Sequence, residues 1–207
     1  MPVPSLIKVA HRGASGSYPE NTRLAFEKAL EASVDMIEMD CQLSRDGHVV
    51  IFHDQNLRRI AGVRGTVKGK TLHQLKKLDV GARFKRSFRG ERIMTLEEVM
   101  SLLAGKVDLN LEIKAPVRGP LGIELKILFI LSYYRYLQRS IISSSDRRVL
   151  ERVREFAPNA RIGIIYSKGF KDDPFEIASR LDADSVHIEK SYVTVERLRR
   201  AQELGLK

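Results

Sequence analysis

The sequence predicts an α/β protein of the TIM type, a (β/α) barrel, on three observations. Short apolar runs of strand length alternate along the chain with amphipathic helical segments, the succession a parallel sheet requires. Polar residues share one face at the ends of these runs while apolar residues share the other, which suits strands that open onto a common mouth. No Gly-x-Gly-x-x-Gly follows any run, which disfavours a doubly wound dinucleotide fold. Barrels of this type generally use about eight strands and roughly 250 residues. The 207 residues here hold six parallel-type units and end at Lys207, so the last two strand units are expected to be missing. Self-association with another copy is one way of covering the strand edges this leaves.

The elements follow in order. Residues 6–10 are a short apolar run that ends at His11 and read as a buried strand. A loop over 15–19 leads to Asn21 or Thr22, either of which can cap a helix with Phe26, Ala29 and Leu30 at helical spacing. In the next run Ile37, Met39 and Cys41 point one way and Glu38, Asp40 and Gln42 the other. Ser44-Arg45-Asp46-Gly47 is a turn signal, and a strand over 49–52 then delivers His53 and Asp54 at its end. Residues 55–94 break the alternation with glycines at 62, 65 and 69, a helical stretch around Leu72, Leu75 and Leu78, and a basic run to Arg89. They read as a lobe inserted in a barrel domain over 1–207. Thr95 with Glu98 makes a capping-box pattern, and Leu109, Leu111 and Ile113 then alternate with Asn110, Glu112 and Lys114. The remaining units are helix 120–136, strand 139–143, helix 146–156, strand 161–166, helix 174–181, strand 185–188 and helix 194–204.

Composition narrows the function. The formal charge of +10 attracts anionic partners, but the basic residues are dispersed and not interleaved with aromatics, so nucleic acid is not an expected partner. The single cysteine, Cys41, excludes an internal disulfide. No signal-peptide pattern opens the chain and no run approaches a membrane span, so a cytoplasmic location without a transmembrane segment is expected. His48 and His73 read as surface residues, and Tyr133, Tyr134 and Tyr136 as packing or surface residues.

Two proton carriers, His11 and His53, and three strand carboxylates, Glu38, Asp40 and Glu112, read as a metal-assisted hydrolytic site. Oxygen-only ligands favour one divalent cation, Mg²⁺ or Ca²⁺, over Zn²⁺. Glu38 and Asp40 can instead pair with Arg12 or Lys114 in a buried network that needs no metal. In the lobe, Arg59, Arg64 and Lys68 can attract phosphate or form a solvated basic surface.

The matching motifs come in order: His11-Arg12-Gly13, Pro19-Glu20-Asn21-Thr22 with Phe26, Ile37-Glu38-Met39-Asp40, Asp46-Gly47, and residues 49–54. Leu57, Thr71-Leu72, Leu78-Asp79, Thr95-Leu96-Glu97-Glu98 and Asn110-Leu111-Glu112-Ile113-Lys114 complete them. On these the chain resembles the glycerophosphodiester phosphodiesterase family, most strongly over 6–115. The resemblance implies a metal-dependent barrel that hydrolyses glycerophosphodiesters to sn-glycerol 3-phosphate and an alcohol. It puts the acid and base on His11 and His53, the metal ligands on Glu38, Asp40 and Glu112, and phosphate contact on Arg12. It places the family's conserved lysine at Lys114, which reads as a substrate-binding contact to phosphate or as a partner of the carboxylates, and the family's aspartate beside the second histidine at Asp54, which reads as orienting a histidine or bracing a loop. It also implies attack by the glycerol 2-hydroxyl through a cyclic phosphate.

Two departures stand out. The chain has no tryptophan-bearing seventh strand, and His187 lies two residues before Glu189, the position where the family often carries a histidine. A lysophospholipase D-type enzyme and a non-catalytic, phosphate-binding remnant are the alternative functions.

Overall fold

A computed structural model describes residues 6–114, 122–167, 169–170 and 172–207. It contains two compact units, Met1–Asn110 and Leu111–Lys207. In the first, β1 (Val9–Ala10) runs parallel to β2 (Met36–Leu43), with Ala10 opposite Ile37. The expected strand over 6–10 is shorter because only its end reaches β2. Leu6 is 89% exposed, and the backbone of Asp35 and Met36 meets the chain at the Lys8 carbonyl.

Between the two strands lies α1 (Arg23–Glu31), capped by Thr22, whose Oγ1 accepts from the Ala25 N–H at 3.2 Å. Its apolar face buries Ala25, Phe26 and Ala29. β2 turns at residues 44–48 into β3 (Val49–Ile51), which pairs antiparallel with it, Cys41 opposite Ile51. β3 stops one residue short of the expected strand, yet the Phe52 N–H still reaches the Asp40 carbonyl at 2.8 Å.

The segment after β3 holds two short helices, α2 (Arg58–Ala61) and α3 (Leu72–Lys76). It builds its own apolar cluster, in which Leu57, Ile60, Val67, Leu75 and Val80 pack with Val50, Phe52 and Ile93. The capping box of Thr95 and Glu98 starts α4 (Leu96–Leu103), and its second half is the Glu98 carboxylate accepting from the Thr95 N–H at 2.9 Å. β4 (Asp108–Ile113) begins in the first unit and ends in the second, with Leu109, Leu111 and Ile113 buried.

The second unit continues with α5 (Ile123–Tyr133), β5 (Ser140–Ser144), α6 (Arg147–Phe156), β6 (Arg161–Tyr166), α7 (Pro174–Leu181), β7 (Ser185–Ile188) and α8 (Val195–Glu203). β5, β6 and β7 are parallel neighbours, with Ile142 opposite Ile162 and Tyr166 opposite Ile188. α5 is shorter than the expected 120–136. Residues 120 and 121 lie outside the described residues, and at the other end the chain turns at Arg135, whose φ is 53°. The buried Glu124 of α5 is paired with Arg152 of α6.

The succession is α/β, that of a TIM-type barrel through its sixth parallel-type strand, with β3 as an antiparallel addition. Among the described residues no helix is long and apolar enough to cross a membrane. His48 and His73 are exposed, Tyr133 is exposed and Tyr136 is buried.

The capping box gives a direct test. Thr95→Ala removes the acceptor of the Glu98 N–H and should cost about 1 kcal/mol, read as a lower denaturant midpoint, whereas Thr95→Ser should keep most of it.

Candidate active site

The site begins where β1 ends. Arg12 and Gly13 both adopt left-handed backbone, φ 57° and 76°, and the Gly13 N–H closes the turn on the Ala10 carbonyl at 3.2 Å. A Cβ at Gly13 would lie 2.8 Å from the backbone carbon and oxygen of Ala25, so α1 can pack here only against glycine. The turn folds Arg12 back onto β2. Its backbone N–H donates to Glu38 Oε2 at 2.8 Å and its Nε lies 3.3 Å from Asp40 Oδ2. His11 Nε2 stands 3.8 Å from the same Glu38 oxygen.

Glu38 and Asp40 share a face of β2, are 5% and 0% exposed, and bring carboxylate oxygens within 4.8 Å of one another. Asn21, also left-handed at φ 58°, braces the second of them. Its Nδ2 donates to Asp40 Oδ2 at 2.8 Å, and its Oδ1 accepts from the Asp40 backbone N–H at 3.3 Å. Gln42, next on that face, spreads its amide hydrogens over the carbonyls of Phe52, His53 and Asp54 at 2.6, 3.1 and 2.9 Å. β2 thereby holds the backbone that carries the second histidine.

His53 Nδ1 lies 2.7 Å from Asp54 Oδ1. Arg59, on α2, grips the same carboxylate with Nε on Oδ2 at 2.7 Å and Nη2 on Oδ1 at 2.8 Å. It also grips Glu20, with Nη1 on Oε2 at 2.9 Å and Nη2 on Oε1 at 2.8 Å. Glu20 Oε1 in turn accepts from Arg12 Nη1 at 3.1 Å. The hydrogen bonds from Arg59, with His53 adding to them against the opposing effect of burial, pull the Asp54 carboxyl down to about 2. Burial pushes Glu20 up, but Arg59 and Arg12 outweigh it and hold its carboxyl below the ordinary range.

In the first unit, therefore, Asp40, Arg12, Glu20, Arg59 and Asp54 form one chain of alternating charge that ends on His53, and the Arg12 backbone N–H ties Glu38, with His11 beside it, to that chain. In the second unit, the Glu112 carboxylate is ion-paired with Lys114. Oxygen donors alone, two of them buried side by side on β2, suit a hard divalent cation. His187 sits with Nε2 2.9 Å from Ser185 Oγ, and burial pushes its imidazole down to about 4, so it is neutral at neutral pH.

Four supporting residues have roles that the sequence does not predict: Glu20 and Gln42, read there without one, Asn21, read as a candidate helix cap, and Arg59, read as a phosphate-attracting or solvated residue. Glu20 and Asn21 were visible as parts of a motif, and Gln42 as a polar residue on the face of Glu38 and Asp40. Arg59 was visible only as one basic residue of the lobe, whereas the structure engages it with two carboxylates.

A model of the glycerophosphoryl diester phosphodiesterase family matches residues 11–207. A glycerophosphodiester phosphodiesterase of Caldanaerobacter subterraneus subsp. tengcongensis is 43% identical over 180 residues, which cover 86% of this chain and 74% of that protein. A Bacillus subtilis relative is 38% identical over 162 residues, 78% of this chain and 66% of its own length. Among solved structures, an Oleispira antarctica phosphodiesterase in complex with the product sn-glycerol-3-phosphate is similar with a TM-score of 0.88 at 29% identity, covering 98% of this chain and 82% of that one.

The depressed Asp54 carboxyl fixes a pH dependence. A group lowered from 3.8 to about 2 on folding contributes stability that is present above 3.8 and is lost as pH falls toward 2. Asp54→Asn should therefore have a lower denaturant midpoint than the parent near neutral pH, with the gap closing as the pH falls through that window.

Proposed function

Because the chain belongs to the glycerophosphoryl diester phosphodiesterase family, we propose that it hydrolyses glycerophosphodiesters to sn-glycerol 3-phosphate and an alcohol. It is an enzyme of the phosphoric diester hydrolase class. One observation carries the reading furthest: both histidines stand at strand ends of the first unit and each leads to a buried carboxylate of β2, His11 directly, 3.8 Å from Glu38, and His53 through Asp54, Arg59, Glu20 and Arg12 to Asp40. The Oleispira antarctica enzyme, with sn-glycerol-3-phosphate as its product, supports the choice of substrate.

In this reading Glu38, Asp40 and Glu112 are the oxygen ligands of one divalent cation, Mg²⁺ or Ca²⁺. Such an ion, when bound, neutralises charge on the phosphoryl oxygens. Arg12, held by Glu20 and Asp40, presents its guanidinium to the phosphate, and Lys114 adds a second positive contact.

His11 and His53 divide the proton transfers. One imidazole takes the proton of the glycerol 2-hydroxyl as its oxygen bonds to phosphorus. The other protonates the departing alcohol oxygen as its bond to phosphorus breaks. Water then opens the cyclic phosphate with the two roles exchanged. Asp54 holds His53 by Nδ1, which leaves Nε2 as the nitrogen that exchanges protons.

The purified chain should release sn-glycerol 3-phosphate from glycerophosphocholine, lose the activity to a chelator and regain it with Mg²⁺ or Ca²⁺. No product with either ion would refute the reading. Glu38→Gln and Asp40→Asn should abolish the metal-dependent activity. His11→Ala and His53→Ala should each lower kcat by about 10²- to 10⁴-fold. A substrate analogue without the 2-hydroxyl should release no alcohol, and normal turnover of it would rule out the cyclic route.

A further inference from the structure

Resting on the phosphodiesterase reading above, we propose that Arg59 is a positioning residue for the reaction, clamping Asp54 so that the ring of His53 is held in one tautomer and orientation. An arginine 51% exposed at its side chain would ordinarily form ion pairs of little consequence. Arg59 is arranged differently. It meets Asp54 side-on and Glu20 end-on, and so makes four hydrogen bonds of 2.7 to 2.9 Å to two carboxylates with one planar group. Only a guanidinium can do this, because its donors lie in a fixed fork, whereas an ammonium offers a point charge with no preferred plane.

The clamp acts where the chemistry needs it. Asp54 Oδ1 is shared between His53 Nδ1 and Arg59 Nη2, so the oxygen that orients the imidazole is itself held by the guanidinium. An ionised, immobile carboxylate on Nδ1 keeps the proton on that nitrogen. Without Arg59, the Asp54 carboxylate loses the paired bonds to both of its oxygens and keeps, among the described residues, only the single contact to the ring it orients. The second carboxylate ties the clamp to Arg12 through Glu20, so the support of His53 and that of the phosphate-contacting arginine share one guanidinium.

The backbone under Arg59 is held as well. Leu57 and Ile60 anchor α2 in the apolar cluster, and Arg83 Nε donates to the Arg59 carbonyl at 3.0 Å.

The test compares Arg59→Ala and Arg59→Lys with the parent chain, and Arg58→Ala as the exposed neighbouring control. Steady-state kinetics on glycerophosphocholine is read beside the imidazole ¹⁵N and ¹³Cδ2 shifts of His53, assigned by loss of the signal in His53→Gln. Arg59→Ala should lower kcat roughly 10- to 100-fold, change KM little, and convert His53 from one Nδ1-protonated tautomer to a mixture. Arg59→Lys keeps the charge but not the fork, and should leave the mixture in place. Arg58→Ala should change neither readout.

Unchanged His53 shifts and kcat in Arg59→Ala would overturn the proposal. If that variant does not fold, Arg59→Lys decides it by the same shifts, a single parent-like tautomer overturning it. A parent chain with no phosphodiesterase activity would instead refute the functional reading, while the His53 shifts still report on the clamp.

Discussion

Burying two carboxylates on one face of β2 is the constraint from which the first unit is built. Glu38 and Asp40 have lost nearly all contact with solvent, and an ionised side chain in that position is tolerable only when charge and hydrogen bonds replace the lost water. Arg12 gives its backbone N–H to Glu38 and sets its charge beside Asp40, which also accepts a hydrogen bond from Asn21. To do so from the residue after β1 and its histidine, the chain must reverse within a few residues. The left-handed backbone at Arg12 and Gly13 is that reversal. Gly13 then lets α1 approach, and α1 is in turn started by Thr22 beside the bracing Asn21. The loop after β1 is thus shaped by the charge on its neighbour strand.

From Arg12 the charges alternate outward through Glu20 and Arg59 to Asp54, whose Oδ1 meets the His53 ring. Buried or half-buried ion pairs are weak contributors to stability, because desolvation offsets most of their attraction. What such a series supplies is geometry. Arg59 meets both of its carboxylates with paired hydrogen bonds, and Gln42 fixes the backbone of His53 and Asp54 from β2 at the same time. The second histidine is therefore located twice, once through its main chain and once through its carboxylate partner.

The parts that were legible in the sequence are those written in local spacing. The alternation over 37–42 marked Glu38 and Asp40 as facing the same way, and the structure pairs their oxygens. Thr95 with Glu98 predicted a capping box that is present in both halves. Strands over 161–166 and 185–188 and the helix over 174–181 match residue for residue, because each is bounded by strong turn or cap chemistry such as Asp173-Pro174. Residues 6–10 were overread because apolarity alone does not supply a pairing partner. The ion pairs of Arg59 were illegible for a different reason. Glu20 lies 39 residues away, and a bond across that separation leaves no period in the chain. His187 stood out as a departure from the family pattern, and the fold packs it beside Ser185 and over Gly163, where a Cβ would come 2.8 Å from its Nε2.

Backbone strain separates ordinary features of the fold from those built for the site. Among the described residues, five other than glycine have positive φ: Arg12, Asn21, Ser33, Arg135 and Asp182. Ser33, Arg135 and Asp182 each follow the end of a helix, where a left-handed residue satisfies the last carbonyls and needs no further reason. Arg12 and Asn21 end no helix. Each carries a cost of order 1 to 3 kcal/mol, and the Asn21 N–H bonds to the Arg12 carbonyl at 3.0 Å, so the two strained residues support one another. Both direct their side chains onto Asp40. Strain that local chain termination does not require, aimed from two separate residues at one buried carboxylate, is accounted for when the placement of that carboxylate is what the fold maintains.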